Sequence, residues 1–296
     1  MFRNLLLRIS WLLLCLSFIF SIINSQAQNT STTGSHFRFV FMTDIHIQPG
    51  VENEFKKAID KAASFHPDFI ITGGDLIMDA LKVEKAKADS LFRLYKKTID
   101  LSTIPVYNAL GNHDVWGWGL KNADSLDPDY GFGLFNRYLE NPHKVFSHNG
   151  YFFLIIPSVL YDEKTAYIGG FSPETLRWVD KSIKDIPEEA PLVLVTHIPL
   201  ITAATQWEEG ALAPNHPMVA VGNSKELFEL LHKHNLKLIL QGHLHIFEKI
   251  EIGGIQIVTG GAISGKWWQG IYKNTPPGFL LVDINGTNIS TQYIPY

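Results

Sequence analysis

The sequence predicts an α/β fold in which helices cover the faces of a β-sheet. Short apolar runs alternate with amphipathic stretches from residue 37 to the C-terminus, and this alternation is typical of strand–helix–strand units. Apolar residues make up 46% of the 296 residues and charged residues 18%, which is a globular composition rather than a disordered or fibrous one. A chain of this length can bury a sizeable core without disulfides.

The predicted elements follow one another in a regular order. Short apolar runs predict strands at 37–42, 69–72, 106–110, 193–196 and 236–241. Apolar residues at helical spacing predict helices at 52–65, 83–99, 173–183 and 225–234. Alternating segments predict further strands at 250–252, 255–259, 278–284 and 288–294. Residues 121–135 are rich in Gly, Asp and Asn and are predicted to form a long surface loop.

The N-terminus has the features of a secretory signal peptide. A basic start precedes residues 9–23, which are nearly all apolar, and Ser25-Gln26-Ala27 supplies the small residues that a signal peptidase reads. We expect a signal peptide at 1–27, a polar linker at 28–35 and one domain at 36–296, in a protein that is periplasmic or extracellular. The alternative is a retained membrane anchor, but the apolar stretch is short for a span of about 20 residues.

Cysteine usage and charge limit the chemistry of the exported part. Cys15 is the only cysteine, so the chain after residue 27 has neither a disulfide nor a reactive thiol. Removal of the two arginines in the signal lowers the formal net charge from −4 to −6. A net acidic domain is a poor candidate for binding nucleic acid through phosphate contacts, and we expect no nucleic-acid partner.

Five short polar motifs each follow a predicted strand. They are Asp44-Ile45-His46, Gly73-Gly74-Asp75, Gly111-Asn112-His113-Asp114, Thr196-His197-Ile198-Pro199 and Gly242-His243-Leu244-His245. In an open α/β sheet the loops beyond the carboxyl ends of the strands converge on one crevice. We therefore expect the five motifs to face one another in space.

The side chains of these motifs are nitrogen and oxygen donors. The candidate metal ligands are Asp44, His46, Asp75, Asn112, His197, His243 and His245. A mixed set without thiolate suits Zn, Mn or Fe, and seven donors are too many for one tetrahedral ion. Two ions about 3.5–4 Å apart need a ligand that spans them, and the two oxygens of Asp75 suit that role.

The ordered set D-x-H, G-D, G-N-H-D, H and G-H-x-H resembles the calcineurin-like metallophosphoesterase family over residues 37 to about 250. Within that family the pattern is most similar to the bacterial cyclic-nucleotide phosphodiesterase-like branch. The resemblance implies a four-layer αββα sandwich of two mixed sheets flanked by helices. It also implies one metal ion on Asp44, His46, Asp75 and His245, and a second on Asp75, Asn112, His197 and His243.

The expected reaction is hydrolysis of a phosphate ester. A hydroxide shared by two divalent or trivalent cations attacks phosphorus, and the cations neutralise the charge that develops on the phosphoryl oxygens. His113 is placed to protonate the leaving alkoxide. Asp114 is expected to orient His113 and raise its pKa, a role that the family resemblance also implies; the alternative for Asp114 is a turn cap.

Three further residues are candidates for contact with substrate. Trp116 follows the Asn112 motif, Trp267 follows a Gly-rich turn, and His216 lies in a stretch, 211–218, that is expected to cover the site. Aromatic walls would favour a substrate with a flat or apolar part, whereas the alternative for each tryptophan is ordinary packing. The other histidines outside the motifs fit no ligand pattern.

The sequence leaves the choice between phosphate monoesters and diesters open. A tyrosinate–iron site is not expected, because Leu76-Ile77-Met78 follow Asp75 where a purple acid phosphatase has a tyrosine ligand. We expect a small phosphate ester as substrate and no stable membrane span once the signal is removed. The alternatives are a nuclease and a metal-binding module of the same fold that has lost catalysis.

Overall fold

The computed structural model describes residues 36–296. The predicted signal peptide at 1–27 and the linker at 28–35 lie outside the described residues. Within 36–296, no helix combines the length and the apolar character that crossing a membrane requires.

The first sheet has five strands in the order β13-β12-β1-β2-β3. Their bounds are β1 His36–Met42, β2 Phe69–Thr72, β3 Val106–Asn108, β12 Gly278–Asn285 and β13 Asn288–Pro295. β1, β2 and β3 are parallel, with Phe41 opposite Ile71 in the first pair. β12 and β13 are antiparallel additions from the end of the chain, so the sheet is mixed.

The second sheet has six strands in the order β10-β11-β9-β8-β5-β4. Their bounds are β4 Lys144–His148, β5 Tyr151–Ile155, β8 Pro191–Val195, β9 Asn235–Gln241, β10 Phe247–Ile252 and β11 Ile255–Gly260. The four central strands are parallel and the two outer strands are antiparallel. β6 Val159–Asp162 and β7 Ala166–Gly169 form a separate antiparallel pair.

Six α-helices follow in chain order. They are α1 Glu52–Ala63, α2 Lys85–Ile99, α3 Gly133–Leu139, α4 Pro173–Ser182, α5 Ala204–Glu209 and α6 Ser224–Leu231, with short 3-10 turns at Asn112–Asp114 and Ile183–Asp185. α4 begins as its sequence predicts: the Ser172 hydroxyl accepts the Thr175 amide, and Pro173 occupies the first turn. α5 differs from the others because none of its residues is buried.

The two faces of each sheet belong to two different hydrophobic clusters. Phe39 and Phe41 of β1 pack between the sheets with Phe153 of β5. Val40 of β1, on the opposite face, packs in a second cluster with Phe55 of α1. Alternate residues of a strand point to opposite faces, so helix, sheet, sheet and helix form four layers. The expected α/β architecture of two mixed sheets with flanking helices is confirmed.

The structure corrects the sequence expectations in the middle of the chain. The predicted surface loop at 121–135 runs into α3, which begins at Gly133. The strands from Lys144 to Gly169 were not predicted, although Tyr151–Ile155 is a buried apolar run. Helix α2 begins at Lys85, two residues later than predicted, and its cap residue Glu84 is extended.

Candidate metal centre

The strand ends bring two groups of donors together. Asp44, His46 and His245 form one group, in which one ligand atom from each residue lies within 4.8 Å of the others. A second group with the same spacing consists of Asp75, His197 and His243. Asp44 follows β1, Asp75 follows β2, His197 follows β8 and His243 follows β9, so both sheets contribute.

Asp75 lies between the two groups. Its Oδ2 atom is 3.6 Å from Nε2 of His46 in the first group and 3.2 Å from Nε2 of His197 in the second. Asn112 joins the second group, because its Oδ1 atom is 3.2 Å from the same His197 nitrogen. The seven donors predicted from the motifs are thus brought into one site, with one carboxylate positioned to contact two ions.

Backbone carbonyls determine which ring nitrogen of three histidines is free. Nδ1 of His197 donates to the Gly73 carbonyl at 2.8 Å, and Nδ1 of His245 donates to the Gly265 carbonyl at 2.6 Å. His243 is reversed, since its Nε2 donates to the Met218 carbonyl at 2.8 Å. The nitrogens that carry lone pairs are therefore Nε2, Nε2 and Nδ1, as metal-binding imidazoles require.

The donor set fits cations on direct structural grounds. Nε2 of His46 lies 3.1 Å from Nε2 of His245, and two imidazole lone pairs at this separation repel unless a positive charge lies near them. Nδ1 of His243 and Nδ2 of Asn112 are buried and have no hydrogen-bond partner among the described residues. A carboxylate, amide and imidazole set without sulfur suits Zn, Mn or Fe.

The ligand-bearing backbone is in an unusual conformation. Five of the seven donors have positive φ angles between 47° and 73°, namely Asp44, His46, Asp75, His243 and His245. Non-glycine residues adopt this left-handed region rarely, and each instance costs about 1–3 kcal/mol when strained. This concentration of strain at strand ends is typical of a functional site.

Two glycines make room for the carboxylates. A Cβ atom on Gly111 would lie 2.2 Å from both the amide nitrogen and Oδ1 of Asp75. A Cβ atom on Gly242 would lie 2.0 Å from the Thr43 hydroxyl and 2.7 Å from Oδ2 of Asp44. Any other residue would displace a donor, which is the physical reason for glycine at these two motif positions.

Burial and mutual charge control the protonation of the site. Burial raises the pKa of Asp75, but His197 and His113 outweigh it and hold the pKa of this carboxyl well below its usual value. Burial lowers the pKa of His46 to about 3, so that ring is neutral. For His197, burial is outweighed by Asp75, which raises the pKa to about 9. The site therefore strongly favours positive charge near Asp75.

His113 is oriented by a residue that the sequence argument missed. Its Nδ1 atom lies 3.4 Å from Oδ1 of Asp79, and its ring lies 5.0 Å from the His46 ring. Burial lowers the pKa of His113, but Asp75 and Asp79 outweigh it and raise that pKa above the usual value. Asp79 comes four residues after Asp75, and a second carboxylate in the loop after β2 was the available signal.

Asp114 has a different role from the one expected. Oδ1 accepts the amides of Leu76 and Ile77 at 2.9 and 3.3 Å, and Oδ2 accepts the Gly111 amide at 2.8 Å. The prediction that Asp114 orients the His113 ring is wrong, because both of its oxygens are used to tie two loops together. Burial and repulsion from Asp75 raise the pKa of Asp114 to about 7.

The three candidate substrate contacts have different outcomes. Trp116 is buried and its Nε1 donates to the Val83 carbonyl, so it is a core residue rather than a pocket wall. The His216 side chain is exposed and accepts the Met218 amide within its own turn. The stretch at 211–218 reaches the site through the Met218 carbonyl instead. Trp267 is half-buried with its ring 4.6 Å from that of His245, and its contact with substrate stays a prediction.

The fold and the donor set place the chain among metal-dependent enzymes. A model of the calcineurin-like phosphoesterase family matches residues 37–247, and the chain belongs to that family. It is therefore a metal-dependent hydrolase of phosphoric ester bonds.

Two curated relatives and one solved structure are similar to the chain. A probable glycerophosphodiester phosphodiesterase of Arcobacter nitrofigilis is 27% identical over 73% of this chain and 70% of its own length. A 3′,5′-cyclic-nucleotide phosphodiesterase of a Nostoc strain is 24% identical over 69% of this chain and 70% of its own length. A dimetal phosphatase from Danio rerio shares the fold with a TM-score of 0.61, at 14% identity over 87% of this chain and 95% of its own.

Proposed function

We propose that this chain is an exported phosphoesterase that uses two metal ions to hydrolyse small phosphodiesters. The observation that carries the proposal is the position of Asp75, with Oδ2 within 3.6 Å of a histidine from each donor group. Its two similar curated relatives are named as phosphodiesterases, which favours diesters over monoesters. Export is supported by the signal-like pattern of residues 1–27.

The residues of the site divide the work between holding cations and moving a proton. Two cations there would lower the pKa of water between them and neutralise charge on the phosphoryl oxygens. The carbonyls of Gly73, Met218 and Gly265 keep the imidazole lone pairs turned inward. His113 is held through Nδ1 by Asp79, which leaves Nε2 to protonate the departing alcohol oxygen.

The test is turnover of two model esters with measured metal content. Purified protein with Mn, Zn or Fe is expected to release nitrophenol from bis(p-nitrophenyl) phosphate, and faster than from p-nitrophenyl phosphate. Metal analysis should give two ions per chain in the active form. Protein with two bound ions that hydrolyses neither ester would overturn the proposal in favour of a catalytically silent metal-binding module.

A further inference from the structure

A small cavity lies against the donor histidines. Its volume is about 240 Å³, and His243 and His245 form part of its wall. The opposite wall is formed by α5 and by the loop that carries Trp267, Tyr272 and Lys273. Any group in this cavity is adjacent to a phosphoryl group at the metal centre. Its size is below the roughly 300–1,000 Å³ of sites for drug-sized ligands, so it suits one small alcohol.

The lining of this cavity combines aromatic rings with carboxylates. Trp267 and Tyr272 meet edge to face, with ring centroids 5.7 Å apart. Glu208 and Glu209 come from α5, and Lys273 is the one basic side chain of the lining apart from the histidines. Two carboxylates and one ammonium leave the lining with an excess of negative charge beside the π faces.

Lys273 shows how an ammonium is accommodated there. It forms an ion pair with Glu208, and its Nζ atom lies 5.4 Å from the centroid of the Tyr272 ring. Among residues 36–296, Glu209 has no ion-pair partner of its own, and Trp267 has no basic side chain over its ring. The chain's own cation thus occupies one carboxylate–aromatic pair and leaves the second pair for a ligand.

From this arrangement we infer that the cavity binds the ammonium of an amino-alcohol group, so that the substrates are phosphodiesters of ethanolamine- or choline-type alcohols. A carboxylate attracts such a group, and an aromatic face within about 6 Å adds a cation–π contribution. The distance fits as well. An ethanolamine chain spans roughly 4 Å from ester oxygen to nitrogen by standard bond lengths, and the Trp267 ring lies 4.6 Å from the ring of His245.

The inference rests on the proposed function and adds no co-reactant to it. Hydrolysis adds one water across the bond between phosphorus and the amino-alcohol oxygen. The water oxygen becomes bonded to phosphorus, and a proton is transferred to the departing alcohol oxygen. The ammonium keeps its charge throughout, so it acts as a recognition element only.

The experiment compares esters of matched shape with and without the positive charge. Methyl diesters of choline and of 3,3-dimethylbutanol differ in one charge, and the methyl diester of ethanolamine tests a primary ammonium. Phosphorus NMR identifies which alcohol leaves, and kcat/KM is measured for each ester. The ratio of charged to neutral kcat/KM in a variant, divided by the wild-type ratio, cancels the intrinsic reactivities of the esters.

Three variants give opposite expected shifts in this ratio. Glu209→Gln and Trp267→Leu each lower the ratio by about threefold to tenfold, as loss of one exposed ionic or cation–π contact implies. Lys273→Met releases Glu208 and the Tyr272 face, so the ratio rises. Glu226→Gln removes one exposed carboxylate on α6, outside the cavity, and leaves the ratio unchanged.

The outcomes separate this inference from the proposed function. If no diester is hydrolysed by metal-loaded protein, the proposed function fails. If the neutral ester is hydrolysed but the ratio is the same in wild type and all variants, only the ammonium subsite fails. Departure of methanol with the amino alcohol left on phosphorus would also overturn the subsite.

Discussion

Asp75 is the residue on which the two-ion arrangement depends. Asp75→Ala is expected to weaken metal binding by at least about 100-fold, because both donor groups lose their shared carboxylate. Elemental analysis after dialysis measures the ions per chain. Asp180→Ala is the control, because Asp180 lies on α4 in an exposed ion pair with Lys184. If the Asp75 variant retained two ions per chain, the bridging role would be refuted.

His113 and Asp79 form a proton-donating pair with separable effects. His113→Ala is expected to keep both metals and to lower kcat by about 10²–10⁴-fold, as loss of a general acid does. Asp79 helps to raise the pKa of His113, and the acid form is present below that pKa. In Asp79→Asn the alkaline fall in kcat/KM is therefore expected to move to lower pH. An unchanged pH profile in this variant would show that Asp79 does not act on His113.

Asp114 contributes to stability rather than to proton transfer. Asp114→Ala leaves three backbone amides without their acceptor, at a cost of about 1–3 kcal/mol for each buried group. We expect a clear fall in the urea midpoint, measured with metal chelated so that ion binding does not contribute. Asp185→Ala, at an exposed position in a 3-10 turn, provides the comparison. Equal midpoints for the two variants would contradict this role.

At the scale of elements, strands that lead directly into the site were predictable. β1 and β2 are continuous apolar runs with polar motifs at their ends, and the structure has them within one residue of the prediction. α3 was missed because it has seven residues, begins on Gly133 and follows a Gly- and Asp-rich stretch. β6 and β7 pair only with each other, and such short local strands lack a clear hydrophobic period.

The site was predictable to the extent that its side chains lie in motifs. All seven donors were named from sequence, because strand ends of parallel sheets converge. The carbonyls of Gly73, Met218 and Gly265 were not, because a backbone acceptor is independent of residue type. The wrong role for Asp114 has a similar cause: adjacency to His113 in sequence does not mean contact between the two side chains.

The turn at Gly111 offers a test of close packing between loops. Gly111→Ala would place a methyl group 2.2 Å from Oδ1 of Asp75. We expect reduced metal content and a lower thermal midpoint, because the carboxylate or the backbone must move. Gly222→Ala is the matched control, since the nearest atom to its added Cβ is a carbonyl oxygen at 3.9 Å. If both variants bound metal equally well, Gly111 would not be required to clear space for Asp75.

For the whole molecule, metal binding is coupled to protons. Before a cation binds, Asp75 raises the pKa of His197 to about 9, so a proton on that ring contributes stability below pH 6.5 that is lost as pH rises towards 9. A cation at the site displaces this proton. We therefore expect metal uptake at pH 7.5 to release a proton and metal affinity to increase up to about pH 9.

Calorimetry in two buffers of different ionisation enthalpy measures that proton release. The thermal midpoint should also rise with free metal concentration, because a ligand that binds only the folded state stabilises it. Metal uptake without a buffer-dependent heat at pH 7.5 would show that His197 is already neutral before the ion binds.

The position of β1 has a consequence for when this protein can fold. β1 is an interior strand, with β2 on one side and β12 on the other, and His36 pairs with Asn285 near the end of the chain. A nascent polypeptide still attached to the ribosome therefore lacks the partner for one edge of β1 until synthesis is almost complete. Asp44 and His46 follow that strand, so the cation site can be completed only after translation of the last hairpin.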